Sequence, residues 1–562
     1  MKAPEESHRM PEFELVIRNA RIVDGTGEPA FGGDVAVSGD RIAAVGKVAG
    51  RGAREIDARG LVLAPGFIDI HTHYDPQICW DRLATPSIEH GVTTVVMGNC
   101  SLTLAPVKPG QSKKLVAMFS RIEDIKEPTF AAGVPFTWES FGEYLDHIRA
   151  GLGLNIGALV GHSALRWYVM GADSQERVAT DDEIARMCSL LEEAMAAGAI
   201  GMSTSYVDID ENMKPVPSRF ADMREKIALC QAMAKSGRGV LQTVPYFIDP
   251  EEQLKNIAEL GELSRASGVL CSLAPIVSSP LGGDAWRRSL AALEAEREKG
   301  GRVFAQSMPR TFDLNIRLSE SSFLLFGLPT WNRFMSLALP ERLAAFGDPA
   351  NRAQLVSEGM MIAPLLMAAS VGEVFSPVNQ PFAGRSLLQI AGELGKSLPE
   401  VMLELALADG LRTEFCIRGA IHANVESVAE ILSHPLVHIG ASDAGAHIAQ
   451  FCGAGDTCYL IERFVREHKK MSLERAVHRL TGELARDWGI ADRGVIAEGK
   501  FADLVLFDPE TIARGPELFV GDVPGNANRY VRRAEGIETV IVNGAVTLER
   551  GAYTPERAGR IV

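Results

Sequence analysis

The chain has 562 residues, 46% of them hydrophobic, which is enough for a large core and more than one ordinary domain. Its 72 acidic and 57 basic residues leave a net charge of −15, a balance that argues against nucleic acid or an anionic membrane as partner. No apolar run reaches the roughly 18 residues of a membrane span, the N-terminal MKAPEESHRMPEFEL has no apolar signal-peptide core, and 8 cysteines without framework spacing point to free thiols in a reducing cytoplasm.

Residues 13–63 form short alternating segments separated by turn residues. Leu15-Val16-Ile17, Ile22-Val23, Asp34-Val35-Ala36-Val37 and Arg41 to Val45 read as strands. Asp24-Gly25 and Ser38-Gly39-Asp40 punctuate them. The texture returns near the C-terminus in Ala502 to Phe507 and Ile537 to Val542, the latter followed by Asn543-Gly544. One small β-domain completed by both termini, over 12–64 and 496–562, is expected.

Between them lie eight short apolar runs, each ending in polar residues. They end at Asp69-Ile70-His71-Thr72-His73, Met97 to Cys100, Val160-Gly161-His162, Met202-Ser203-Thr204, Leu241-Gln242-Thr243, Leu270-Cys271-Ser272, Phe304-Ala305-Gln306 and Ile439 to Asp443. Helical text separates most of them. The clearest helix opens at Thr180 with Glu183 as a capping box and carries Ile184, Met187, Leu190, Leu191, Ala194 and Met195 on one face. Eight alternations predict a (β/α)8 barrel over 65–495, although periodicity leaves another α/β topology open. The stretch from about 310 to 430 is too long for one βα connection. It contains Phe312, Phe323, Phe326, Trp331 and Phe334, and reads either as a lid at the barrel mouth or as an insertion packing its own core.

In a barrel, chemistry gathers at the C-terminal strand ends. His71 and His73 alternate along a strand, so both imidazoles face one side and can share a divalent ion at about 2.0–2.1 Å per Zn–N bond. Asp443 ends the last strand, which neighbours the first when a barrel closes. It suits a metal ligand and general base; a helix N-cap is the plainer reading. Cys100 is either a thiolate ligand or a small buried hydrophobe. His162 is a candidate catalytic or metal-binding group, or a structural histidine. Arg166, Arg310 and His447 are candidate substrate contacts, Arg310 through a substrate carboxylate; for Arg310 an ordinary salt bridge competes.

These residues resemble a known family. Leu61 to His73 read LVLAPGFIDIHTH, similar to the first barrel strand of the amidohydrolase superfamily. GNCSLTLAPV at 98–107, LVGHSALRWYVMG at 159–171, AAGAIGMSTS at 196–205, IGASDAGAH at 439–447 and DRGVIAEGKFADLVLFDP at 492–509 resemble its N-acyl-D-amino-acid deacylase branch. The resemblance implies a distorted barrel plus a small β-sandwich, and zinc-dependent hydrolysis of an amide. His71 and His73 match the paired histidines of the first metal position, Cys100 a zinc-contacting cysteine and Asp443 the catalytic aspartate. His162 and His447 fall on histidines of related sequences. Two family histidines, ending strands five and six, are absent: Gln242-Thr243-Val244-Pro245 and Cys271-Ser272-Leu273-Ala274-Pro275 stand there. The lysine that follows the second of them in D-aminoacylases is missing too.

The expected protein is therefore a cytoplasmic amidohydrolase holding one Zn²⁺, or another divalent ion, at His71, His73, Asp443 and Cys100. Its substrate is expected to be a small N-acyl amino acid or related apolar or aryl amide, with Asp443 as base. A cyclic-amide hydrolase of the hydantoin or lactam type is the alternative, and a catalytically silent binding protein a further one. Self-association stays open.

Overall fold

The computed structural model describes residues 11–279 and 282–562. Residues 1–10, on which most of the signal-peptide expectation falls, lie outside them.

Eight parallel strands form the barrel: β1 (Phe67–Asp69), β2 (Val92–Met97), β3 (Asn155–Gly161), β4 (Gly201–Ser205), β5 (Val240–Val244), β6 (Leu270–Leu273), β7 (Val303–Ser307) and β8 (Val437–Ile439). They pair in the order β1 to β8, and every one of the eight apolar runs is one of these strands. All but one of the residues in them are buried, as expected of strands covered on both faces. Closure comes just beyond the strands. Asp443 N–H donates to the His71 carbonyl at 3.2 Å, and His73 N–H to the Ala444 carbonyl at 2.8 Å. The backbones bearing the candidate ligands are thus stitched directly together. The helix Asp181–Ala197 carries the expected capping box, with Thr180 and Glu183 bonded reciprocally.

Both termini build a nine-stranded sheet, in which Val62–Pro65 pairs with Leu504–Phe507 to join its two halves. Two details differ from the expectation. Leu15–Ile17 and Ile22 belong to one strand, Phe13–Ile22, whose register slips between Ile17 and Ala20 where Asn19 adopts φ +58°. A bulge absorbs the turn-forming asparagine without ending the strand. In addition, Ala513–Val523 and Ala527–Glu535 form a separate hairpin off that sheet. It reaches across to the barrel mouth: Tyr530 N–H donates to the Ile448 carbonyl at 2.7 Å, and Glu517 accepts from Cys452 N–H at 2.9 Å.

The long connection between β7 and β8 is an insertion with its own three-stranded sheet, Leu314–Ile316, Ala369–Val371 and Phe415–Ile417. Its aromatics divide between the two readings. Trp331 and Phe334 are buried in a core belonging to the insertion, stacked edge-on against Phe346. Phe312 and Phe323 pack on the edge of the same core and reach Phe451 and His447 of the loop after β8.

Candidate active site

His71 and His73 follow β1 and are buried, at 2% and 1% exposure. Their Nε2 atoms lie 3.6 and 3.7 Å from Cys100 Sγ. Asp443 Oδ1 lies 3.1 Å from His71 Nε2 and 3.7 Å from His73 Nε2. Bonds of about 2.0–2.3 Å at tetrahedral angles separate neighbouring donors by about 3.3–3.6 Å. The three donor atoms of His71, His73 and Cys100 all fall within 4.8 Å of one another, so they fit a single ion. The mixed nitrogen and sulfur set suits a borderline-soft metal such as zinc.

Local backbone strain puts two of these groups in place. Gly98, Cys100 and Ser101 have φ of +82°, +57° and +64°, which doubles the chain back after β2 and turns the thiol toward the histidines. Two non-glycine residues in that region cost of order 1–3 kcal/mol each. The turn is held by Asn99 Nδ2 donating to the Thr72 carbonyl at 3.1 Å, and by Cys100 N–H donating to Gln242 Oε1 at 3.1 Å. After β8, Ala441, Asp443 and His447 all take positive φ. There the Ser442 hydroxyl donates to Asp69 Oδ2 at 2.7 Å. Burial pushes the Asp443 carboxyl up, but hydrogen bonds and charge from His71 and His73 outweigh it and hold the group well below the usual carboxylate range. Its side chain is 24% exposed, enough to meet a ligand.

The remaining expected residues are sorted by their partners. The His447 ring packs against Phe323 with centroids 4.8 Å apart, its Nδ1 has no protein partner, and burial lowers it to about 4. It stays at the mouth as a neutral group. His162 and Arg166 are not brought to the cluster. His162 Nε2 lies 2.8 Å from Glu225, its Nδ1 lies 3.1 Å from Thr204, and Arg166 binds the other Glu225 oxygen. All three side chains are fully buried, so a buried carboxylate paired with Arg166 and bonded by the His162 ring explains them. Arg310 is also withdrawn, at 3% exposure. Its Nε lies 3.0 Å from Asp456, and its guanidinium donates to the Ser442 carbonyl at 2.8 Å. It steadies the loop that carries Asp443.

At the ends of β5 and β6 the side chains are amides and hydroxyls. Besides its bond to Cys100, Gln242 places Nε2 3.5 Å from His71 Nδ1, while Gln306 Nε2 donates to Ser272 Oγ at 3.0 Å. Three acidic groups escaped the sequence reading. Glu123 Oε1 stands 3.2 Å from His73 Nδ1. Asp208, after β4, has one buried oxygen without a partner, and burial raises its carboxyl to about 6. Asp75 accepts from Gly98 N–H at 2.9 Å. Only the position of Asp75, two residues beyond His73, signalled any of them.

Asp75 gives the site a pH signature. Burial raises its carboxyl from an ordinary 3.8 to about 7. Between those values the folded chain holds a proton that the unfolded chain has released, so this group's contribution to stability falls as pH rises. In metal-stripped protein, wild type is expected to lose up to about 3 kcal/mol relative to Asp75→Asn between pH 5 and 8, since each pKa unit is about 1.4 kcal/mol. Urea unfolding of both proteins at the two pH values measures it. A gap that stays constant contradicts the assignment.

Residues 54–548 match the model of the amidohydrolase family. The chain belongs to that family. It is 31% identical to the D-aminoacylase of Alcaligenes xylosoxydans xylosoxydans, over 98% of this chain and 97% of that protein. It is 30% identical to the N-acyl-D-aspartate deacylase of the same organism, over 98% and 95%. Among solved structures, a D-aminoacylase superposes with a TM-score of 0.66 at 29% identity, covering 98% of this chain and 99% of the other. The N-acyl-D-glutamate deacylase of Bordetella bronchiseptica, complexed with zinc and a phosphonate mimic of the tetrahedral intermediate, gives 0.67 at 25% identity with the same coverage. These likenesses span both the barrel and the terminal β-sandwich, so the family's architecture is that of the whole chain.

Proposed function

We propose that this amidohydrolase cleaves the amide bond of an N-acyl amino acid, with one Zn²⁺ held by His71, His73 and Cys100 and with Asp443 as general base. The observation that carries the reading is the Asp443 carboxylate, within 3.1 and 3.7 Å of both histidine Nε2 atoms at the partly open end of the cluster. Near-full-length likeness to two deacylases of N-acylated D-amino acids supports the substrate class. When bound, the ion supplies Lewis acidity, polarising the scissile carbonyl and lowering the pKa of water toward about 7. Asp443 receives the proton of the attacking water and returns it to the leaving nitrogen.

Phe312, Phe323 and Phe451 form an apolar wall beside His447, suited to an acyl or aryl group. With glutamine and serine at the ends of β5 and β6, the second metal position lacks imidazole donors, which favours a single ion. The domain division at 64/65 and 495/496, with an insertion near 310–430, is supported by the separation of the terminal sheet from the barrel sheet, with the strand Val62–Pro65 carrying the terminal sheet one residue past the first boundary. A reducing cytoplasm agrees with the free state of all eight cysteines. Among the described residues no helix is long and apolar enough to cross a membrane.

The test combines metal analysis with a substrate panel. Protein purified without added metal is expected to carry about one ion per chain and to hydrolyse N-acyl amino acids in preference to hydantoins and lactams. Turnover of cyclic amides alone reverses the substrate assignment. No turnover after adding Zn²⁺ or Mn²⁺ indicates a silent binding protein.

A further inference from the structure

We propose that Glu123 is a positioning residue for the metal ligand His73, a role that no motif in the chain marks. The inference rests on the reading above that the histidine–cysteine cluster holds an ion.

Glu123 is 2% exposed, and its Oε1 stands 3.2 Å from His73 Nδ1. This is the edge of the ring away from Nε2, which faces Cys100 Sγ and Asp443 Oδ1, both at 3.7 Å. Glu123 Oε1 and His73 Nδ1 are buried without a hydrogen-bond partner, and each has the other at ion-pair distance. Burying a carboxylate oxygen with nothing to bond is costly, so its placement calls for a reason. Metal ligation supplies one. An imidazole ligating through Nε2 keeps its single proton on Nδ1, the atom that Glu123 Oε1 stands beside. A carboxylate behind a ligand histidine fixes the tautomer and the ring orientation and strengthens the ligand. The group beside His71 Nδ1 is instead the Gln242 amide nitrogen at 3.5 Å, itself a donor, so carboxyl support falls on one ligand of the pair.

The backbone keeps Glu123 in that position. It caps the helix Lys113–Ile122, its own N–H bonded to the Phe119 carbonyl at 2.9 Å. Its carbonyl accepts from His447 N–H at 2.7 Å. Asp124 then takes φ +60°, which sends its carboxylate the opposite way, to Gln450 Nε2 at 3.0 Å and to the Ser321 hydroxyl. The dipeptide is clamped between the loop after β8 and the insertion. The seating of the insertion on the barrel therefore reaches a metal ligand through one side chain.

The full chain, stripped with a chelator, is compared as wild type, Glu123→Gln and Glu123→Ala. Zn²⁺ is titrated against a chromogenic chelator, and the metal-free melting temperature is recorded for each. Zn²⁺ affinity is expected to fall in the order wild type, Gln, Ala, with the alanine variant 10–100-fold or so weaker, the usual loss for such a partner. Metal-free melting of Glu123→Gln should match wild type. Equal Zn²⁺ affinity in all three proteins overturns the proposal. So does a lowered metal-free melting temperature in Glu123→Ala that Gln restores while both keep wild-type affinity, because that is a packing role. If wild type binds no Zn²⁺, this inference and the metal reading fall together. If it binds Zn²⁺ but hydrolyses no amide, the proposed function falls, and Glu123 is judged on affinity alone.

Discussion

Asp443→Asn is expected to fold normally, keep its bound metal, and lose about three orders of magnitude in kcat/KM. An asparagine matches the carboxylate in shape and can still accept a hydrogen bond, but it cannot take a proton from water. General-base catalysis contributes typically 10²–10⁴-fold, and the same group serves the leaving nitrogen, so the loss belongs toward the upper end. The loop should survive the change, because its geometry comes from neighbours of Asp443. Ser442 is bonded to Asp69, Arg310 holds the Ser442 carbonyl, and the Asp443 and His73 N–H groups bond across the seam of the barrel. Steady-state hydrolysis, metal content and circular dichroism on one preparation decide the matter. A variant with wild-type turnover removes Asp443 from the chemistry.

The second large effect is loss of the metal. Dialysis against a chelator is expected to bring hydrolysis to background and to leave the fold in place, and added Zn²⁺ should restore turnover. The double variant His71→Ala/His73→Ala should behave as the stripped protein does, without rescue. Structural zinc sites often unfold when emptied. Here the ligands sit on a scaffold that does not depend on the ion: β1 and β2 are buried in the main core, and the Cys100 turn is held by Asn99 and Gln242. Activity that persists at metal contents far below one per chain contradicts this prediction.

The barrel was legible in the sequence because buried parallel strands announce themselves as unbroken apolar runs, and the residue just past each run is where side chains converge. That logic located His71, His73, Cys100 and Asp443 together. It also located His162, and here it stopped short, because the position does not say which way a ring turns. His162 and Arg166 turn toward Glu225, a helix residue 63 and 59 positions further on. Arg310 likewise pairs with Asp456 across the whole insertion. Glu123 was invisible for a related reason. It sits in ordinary charged text after a helix, and only the folding of that segment against the β8 loop makes it buried and close to His73. The aromatics of the insertion resisted a single reading because they serve two surfaces, with Trp331 inward and Phe323 toward His447. In each case the missing information was a partner far away in the chain.

The order in which a ribosome delivers this chain carries a cost for its assembly. Val62–Pro65 waits for Leu504–Phe507, and the edge of the barrel strand that ends at Ser307 waits for Val437–Ile439. At roughly 5–20 residues per second, the first of these gaps leaves a strand edge unpaired for about 20 to 90 seconds. The hairpin that braces the catalytic loop, Ala513–Val523 with Ala527–Glu535, arrives later still. A polypeptide without that hairpin would therefore possess every metal ligand and the general base, yet lack the brace that holds their loop. Possession of the catalytic residues and possession of the brace that seats their loop are thus separate conditions.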